Sequence, residues 1–135
     1  MPTQFPIPHS DVTLWLTDYG DRLSEGDIFG CLQDAAAYIV RMFTLRGDIS
    51  MIARTWRRNN VVLIVSPKPA MKLLKAIEVF DELEKIVVER RWTFATQVLV
   101  MDSKLGSLGS LNMAYRSWIP LSPAHVEASS GDAEK

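Results

Sequence analysis

The chain has 135 residues, of which 47% are hydrophobic and 23% are charged, as is usual for one globular domain. Its 15 Lys and Arg residues nearly balance its 16 Asp and Glu residues, which gives a formal net charge of -1 at pH 7. This balance argues against a protein that holds nucleic acid or an anionic membrane by bulk charge. The single cysteine, Cys31, rules out an internal disulfide and favours a reducing compartment.

The first ten residues predict an extended arm rather than a targeting signal. Residues 1–8 contain three prolines and have neither the basic region nor the apolar region of a signal peptide. We therefore expect a soluble, cytoplasmic protein, with secretion followed by signal removal as the alternative. No apolar run approaches the ~20 residues of a membrane-spanning helix, so we expect no membrane association.

The next part of the chain predicts a strand followed by a helix. Apolar and polar residues alternate over residues 12–17, which is the pattern of a strand with one strongly apolar side. Ser24 is a suitable N-cap, and apolar residues then recur every three or four positions from Ile28 to Phe43. Gly47 follows this stretch and is a suitable helix stop.

The second half of the chain contains further strand and helix patterns. Residues 51–56 and 61–65 predict the two arms of a hairpin, since turn-forming asparagines lie between them. An apolar stripe over residues 73–87 predicts a second amphipathic helix. Alternating residues over 92–101 predict the last clear strand.

The order of these elements is strand, helix, hairpin, helix and strand, which is that of a βαββαβ unit. We therefore predict an α+β, ferredoxin-like two-layer sandwich, with two helices on one face of an antiparallel sheet. The pattern weakens after residue 102, where residues 105–110 repeat Leu-Gly-Ser and residues 111–115 predict a short added edge strand. The predicted organisation is a Pro-rich arm over residues 1–10, one domain over residues 11–118 and a disordered tail over residues 119–135.

Tryptophans and arginines on the predicted strands are the candidates for a partner-binding surface. Trp15 and Trp56 form an exposed apolar patch if they lie opposite the helices, whereas a one-residue shift in register buries them under the helices. Arg54 and Arg57 lie on the same hairpin as Trp56. This cluster fits contacts with phosphates or RNA bases, but a solvated hairpin tip explains it more simply, so we do not expect nucleic acid binding.

The sequence shows no constellation typical of catalysis, and we lean towards a protein that is not an enzyme. His9 and His125 lie in the predicted arm and tail, so neither is well placed to act as a base. Cys31 has the position of a packing residue in the first helix, and no cluster of metal ligands surrounds it. The glycines of residues 106–110 lack the Lys-Ser/Thr of a phosphate-binding loop. We therefore expect no catalytic residue, no metal and no cofactor.

Several segments together resemble a group of small fungal α+β proteins of uncharacterised function. The similar segments are the arm Pro6-Ile7-Pro8, the helix start at residues 28–32, the strand at residues 60–65 and the stretch at residues 105–111. In the last of these the fungal group tends to have a Gly-x-x-Gly-x-Leu pattern. The resemblance covers most of residues 5–113 and implies no catalytic residues. Members of the group often begin with a secretion signal, which this sequence lacks.

Two functions of different classes follow from these patterns. The first is a non-enzymatic interaction module that binds a second copy or another protein through the open sheet face. Its contact residues would be Trp15, Trp56, Arg54 and Arg57. The alternative is a small-molecule-binding protein or enzyme of the dimeric α+β barrel type, in which two sheets enclose a cavity. Polar contacts in that cavity would come from Tyr19, Tyr38, Asn112 or Tyr115.

Overall fold

Six strands and two helices form the part of the chain that the structure describes, residues 2–115 of a computed structural model. In chain order they are β1 (Thr3–Pro6), β2 (Val12–Arg22), α1 (Glu25–Arg46), β3 (Arg54–Arg58), β4 (Val61–Pro67), α2 (Leu73–Glu89), β5 (Phe94–Asp102) and β6 (Gly106–Tyr115). The two helices contact each other and pack against one antiparallel sheet. The predicted α+β class and two-layer arrangement are therefore confirmed.

The path of the chain through the sheet differs from the predicted one. The strand order is β1-β2-β5-β6-β4-β3, and every neighbouring pair is antiparallel. In a ferredoxin-like unit, the strand before the first helix lies beside the strand before the second helix. Here β5 and β6 separate β2 from β4, so the sheet does not have the ferredoxin-like order.

The hairpin of the last two strands, β5 and β6, causes this difference. A tight turn joins β6 to β5, because Asp102 Oδ1 accepts hydrogen bonds from the backbone N–H groups of Lys104 (2.8 Å) and Leu105 (3.0 Å). Gly106 follows with a φ of 82°, which a glycine adopts without strain. β6 then runs back between β5 and β4, and is a central strand rather than the short edge strand that the sequence predicted.

A bulge and one glycine let β6 fit between its two neighbours. The register of β5 and β6 shifts between Val100 and Met101, at the level of Gly109. Gly109 has a φ of 127°, and a Cβ at this position would lie 2.5 Å from the backbone oxygen of Ser66 on β4. Only a residue without a side chain allows this close approach.

The N-terminal arm is part of the sheet. Residues 3–6 are extended as expected, and they pair with β2 as an edge strand in which Phe5 lies opposite Leu14. The side chains of Phe5 and Ile7 are buried in the core. The predicted boundary at residue 118, the predicted tail and His125 lie outside the described residues.

The core lies between one sheet face and the inner sides of both helices. The strand residues with the lowest exposure on this face are Leu14, Leu16, Leu63, Val65, Val98, Val100, Leu111 and Met113. The helices contribute mainly Ile28, Leu32, Ala35, Ile39, Ala76, Val79, Phe80 and Leu83. These helix positions follow the three- and four-residue spacing that the sequence predicted.

Both helices begin at side chains that accept hydrogen bonds from free backbone N–H groups. Ser24 Oγ accepts from the N–H of Asp27 at 3.3 Å, as expected of an N-cap. Lys72, the residue before α2, makes no such bond. Asp48, in the connection between α1 and β3, accepts instead from the N–H of Leu74 at 2.8 Å. The start of α2 is therefore stabilised by a residue that lies far from it in the chain.

α1 also has the length and apolar composition of a membrane-spanning helix. Its Ile28, Leu32 and Ile39 side chains have 0% exposure, because they pack in the core. Core helices meet the same criterion of length and composition, so this property does not identify a membrane span.

Candidate functional site

The candidate binding surface is the sheet face opposite the helices. Alternate residues of four neighbouring strands point to it, and we call this set the open face. The open face consists of Thr13, Trp15, Thr17, Gln97, Leu99, Met101, Ser110, Asn112, Ile64 and Ser66. Trp15 lies opposite Leu99, and Leu99 lies opposite Ser110 on the next strand. A half-buried indole and a half-buried leucine are therefore neighbours on this surface.

None of the ten open-face residues is charged, although charged residues make up 23% of the chain, and Arg57 on the same side of the sheet lies on the edge strand β3. The solvent side of an antiparallel sheet is normally polar, in contrast to its core side. Here Trp15, Leu99, Met101 and Ile64 are apolar, and the other members are Ser, Thr, Asn and Gln. Few charges together with large apolar side chains are typical of the centre of a protein interface.

One corner of the same sheet face is closed to solvent. Thr55, Val62 and Ala95 have 0% exposure, and Ala114 has 5%. Val62 and Ala114 lie opposite each other on β4 and β6. The surface available to a partner is therefore the open face as defined above, which lies mainly on β2, β5 and β6.

Trp56, which the sequence suggested for this surface, lies on the other side of the sheet. It pairs with Leu63 on the side that faces the helices and is 2% exposed. Tyr38 of α1 contacts the indole edge-on, with ring centroids 5.7 Å apart. Trp56 is therefore a core residue, because the hairpin register places it beneath α1, whereas Trp15 stays half-buried on the open face.

The two arginines suggested with these tryptophans are divided in the same way. The Arg54 guanidinium lies on the helix side, 4.5 Å from the ring centroid of Tyr38. Arg57, one strand position from Trp56, points to the side away from the helices and is half-buried. Of the four suggested contact residues, Trp15 and Arg57 thus point away from the helices, and Arg54 and Trp56 do not.

The hairpin tip is held against α1 by polar contacts. Arg58 and Asp34 form two hydrogen bonds, Nε to Oδ2 at 2.8 Å and Nη2 to Oδ1 at 2.9 Å. Asn59 Nδ2 donates to Asp27 Oδ1 at 2.9 Å. A Cβ at Gly30 would lie 3.2 Å from the Arg58 guanidinium carbon, so the glycine gives this side chain room to cross α1. The acidic partners offset the positive charge that a phosphate would meet at the tip.

The polar residues suggested for an enclosed cavity do not lie together. Tyr38 packs on the helix side, and Tyr115 Oη donates to the backbone oxygen of Arg22 at 2.6 Å on that same side. Tyr19 is 50% exposed in the last part of β2. Asn112 is on the open face, between Gln97 and Ile64. Two open faces in contact would therefore not bring these four side chains together.

Cys31 lies in the core. Its side chain is 1% exposed, and Sγ donates to the backbone oxygen of Val61 at 3.8 Å. Burial, and then the nearby negative charge of Asp34, raise the pKa of the thiol to about 12. The thiol is therefore protonated at neutral pH, whereas a nucleophilic cysteine needs a lowered pKa. Within residues 2–115, no three His, Cys, Asp or Glu side chains are grouped so that they could hold a metal ion.

Leu99 and Met101 are open-face residues that the tryptophan pattern alone does not reveal. The sequence indicates them through the alternation of residues 94–101. The side chains on one side of this strand include Gln97, Leu99 and Met101 and carry no charge. The facing strand β2 has the same property at Thr13, Trp15 and Thr17. Uncharged residues on both sides of an alternating strand indicate that each side is covered or able to bind.

Comparison of the chain with protein-family models, with curated proteins and with solved structures found no match.

Proposed function

We propose that the protein is a non-enzymatic interaction module that forms a homodimer through its open face. The proposal is supported mainly by the apolar and uncharged character of this accessible surface. Across a two-fold axis, a surface meets an identical copy of itself, so a charged side chain near the axis would face a like charge. The open face avoids this repulsion, and Trp15 on β2 and Leu99 on β5 supply neighbouring apolar contacts.

The size of the open face fits a weak dimer. The open face covers five positions on each of β2 and β5 and three on each of β6 and β4, which at about 4.8 Å between strands and about 3.3 Å per residue is roughly 250 Å² of sheet plane. This is less than the ~600 Å² per partner of the smaller stable interfaces, so the open face would form the centre of a weak contact and the residues around it would form the rim. We therefore expect a dissociation constant in the micromolar range, with sheet packed directly on sheet.

A packed interface also fits the side chains better than an enclosed ligand cavity. Small-molecule cavities need several polar groups that converge on one ligand. Of the polar residues suggested by the sequence, Asn112 lies on the open face, whereas Tyr38 and Tyr115 lie on the helix side. Two facing sheets would therefore bring together mostly apolar and small polar side chains.

Sedimentation equilibrium from about 1 to 500 μM protein tests this function, since it covers the expected dissociation constant. The wild-type protein should show a monomer–dimer equilibrium. Trp15→Glu should raise the dissociation constant about 30-fold, because an interface tryptophan typically contributes about 2 kcal/mol. Thr17→Lys should raise it about tenfold, since it places two like charges near each other. Val88→Glu, at a 48% exposed position on α2, is the matched control and should leave it unchanged.

A wild-type protein that stays strictly monomeric at high micromolar concentration would overturn the proposal. A dimer that is equally stable in the wild type, Trp15→Glu and Thr17→Lys would also overturn it, because it must use another surface. Far-UV circular dichroism of each variant separates loss of the dimer from loss of the fold. If Trp15→Glu does not fold, the smaller change at Thr17 still decides the question.

A further inference from the structure

A small cavity lies on the helix side of the sheet, where the end of α1 meets the α1–β3 connection and the start of α2. Its volume is ≈ 90 Å³. A water molecule takes up about 30 Å³ in the liquid, so this space matches an aliphatic group of three or four carbons. Tyr38 and Met42 of α1 line it, together with Met51 and Leu73, which are buried. The inside of the cavity is therefore mostly apolar.

Backbone hydrogen bonds fix the segment that forms the mouth of this cavity. The N–H of Leu73 donates to the oxygen of Ile49 at 2.9 Å, and the N–H of Met51 donates to the oxygen of Met71 at 2.8 Å. These bonds join the α1–β3 connection to the residues before α2. Because the backbone is already held in place, an entering side chain does not need to order it first.

Exposed aliphatic side chains line the mouth or lie next in the chain to residues that line the cavity. Ile49 and Ile52 line the cavity and are 39% and 58% exposed. Leu45, in the last turn of α1, is 72% exposed, and Leu74, at the start of α2, is 46% exposed. These four are half of the eight large exposed hydrophobic residues in residues 2–115. Apolar residues concentrated at one place on a surface mark an interaction site.

The charges near the mouth favour an acidic ligand. Arg46 lines the cavity, is exposed, and has no ion-pair partner among residues 2–115. The guanidinium of Arg41 lies 5.8 Å from the ring centroid of Tyr38, which also lines the cavity. The nearby Asp48 carboxylate is already bonded to the N–H of Leu74. A carboxylate on the ligand can therefore pair with Arg46 at the edge of the apolar mouth.

We propose that this cavity binds a short segment of a partner protein in which a Leu or Ile side chain adjoins an acidic residue. The aliphatic side chain fills the cavity and covers Ile49 and Ile52, while the carboxylate pairs with Arg46. The site is concave, which fits the inserted side chain of a peptide, whereas a lipid surface takes up convex apolar segments. The cavity and the open face lie on opposite sides of the sheet, so this site is independent of the proposed dimer.

Selection of short random peptides displayed on phage, against the full chain, tests this proposal. The enriched peptides should share Leu or Ile next to Asp or Glu. In fluorescence anisotropy with a labelled enriched peptide, Ile52→Asp should weaken binding at least about tenfold, because it places a like charge at the mouth. Arg46→Gln should weaken it about two- to fivefold at low salt, as expected for an exposed ion pair, and less at high salt. Val88→Asp is the matched control and should bind the peptide as the wild type does.

Three results would overturn the proposal. The first is a set of enriched peptides that lack the aliphatic–acidic motif, or an enriched peptide that binds the Ile52→Asp variant as tightly as it binds the wild type. The second is binding to phosphatidylserine vesicles that Ile52→Asp abolishes, without binding to the peptide. The third is a peptide whose binding is lost in Thr17→Lys, since that peptide uses the open face. Ile52 and Arg46 are exposed, so their variants should fold, and thermal unfolding checks this.

Discussion

Substitution of Gly109 tests the central position of β6. A Cβ at this residue would lie 2.5 Å from the backbone oxygen of Ser66 and 2.7 Å from the Cα of Pro67. Both atoms belong to the backbone of β4, so they cannot move aside as a flexible side chain can. Gly106 is the matched control, because it has a φ of 82° and no atom within 4 Å of an added Cβ.

The expected loss of stability differs between the two alanine variants. Gly106→Ala meets only the strain of a positive φ, which is about 1–2 kcal/mol for a residue with a side chain. Gly109→Ala has a φ of 127° and also forces apart the backbones of β4 and β6. Overpacking of this kind costs a further ~1–3 kcal/mol. We therefore expect Gly109→Ala to lose about 2–5 kcal/mol, which is about 1–3 kcal/mol more than Gly106→Ala.

Urea unfolding followed by tryptophan fluorescence measures this difference, provided that both variants keep the slope of the wild type. A protein concentration below the dissociation constant of the dimer removes the effect of self-association on the urea midpoint. If Gly109→Ala and Gly106→Ala agree within about 0.5 kcal/mol, which is a typical effect of a surface substitution, β6 does not lie against β4 as described. The predicted edge position for β6 would then be the better account.

Two further substitutions test the assignment of residues to the core and to the β5–β6 turn. Trp56→Ala should lower the free energy of unfolding by about 3–5 kcal/mol, as large core truncations do, and Trp15→Ala should lower it clearly less. Equal losses in urea unfolding would contradict the different burial of the two indoles. Hydrogen bonds from the backbone N–H of Leu105, and then of Lys104, lower the pKa of Asp102. The Asp102 carboxylate therefore stabilises the fold at a pH above its pKa in the unfolded chain. This stabilisation is lost as the pH falls through its pKa in the folded protein. Stability measured between about pH 5 and pH 2 should therefore fall less in Asp102→Asn than in the wild type, and parallel curves would show that these bonds are not made.

The two helices and four of the strands could be predicted because their periodicity is strong. α1 shows apolar residues every three or four positions and a Ser24 cap, and α2 shows a continuous apolar stripe. β6 could not be predicted in the same way, because its first half contains Gly106, Ser107, Gly109 and Ser110 around one large residue, Leu108. Such a composition is typical of turns, and only the presence of β4 on one side and β5 on the other makes it a strand.

The face occupied by Trp56 also could not be read from the sequence. The hairpin strand β3 alternates Arg54, Trp56 and Arg58 with Thr55 and Arg57, so both sets contain arginine and neither is clearly the buried one. The contacts that settle the question come from α1, through its aromatic and acidic side chains. Interactions between distant segments thus decide the register that local alternation leaves open.

The pairing of β2 with β5 has a consequence for how the protein is made. Leu16 lies opposite Val98, more than 80 residues later in the chain, and β1 adds only to the outer edge of β2. Closing such a long loop is slow, so folding should take milliseconds to seconds rather than microseconds. During synthesis the inner edge of β2 stays without its partner until β5 has left the ribosome. A nascent chain that stalls before residue 94 therefore exposes the apolar, aggregation-prone inner edge of β2. We expect such a chain to bind chaperones until translation resumes.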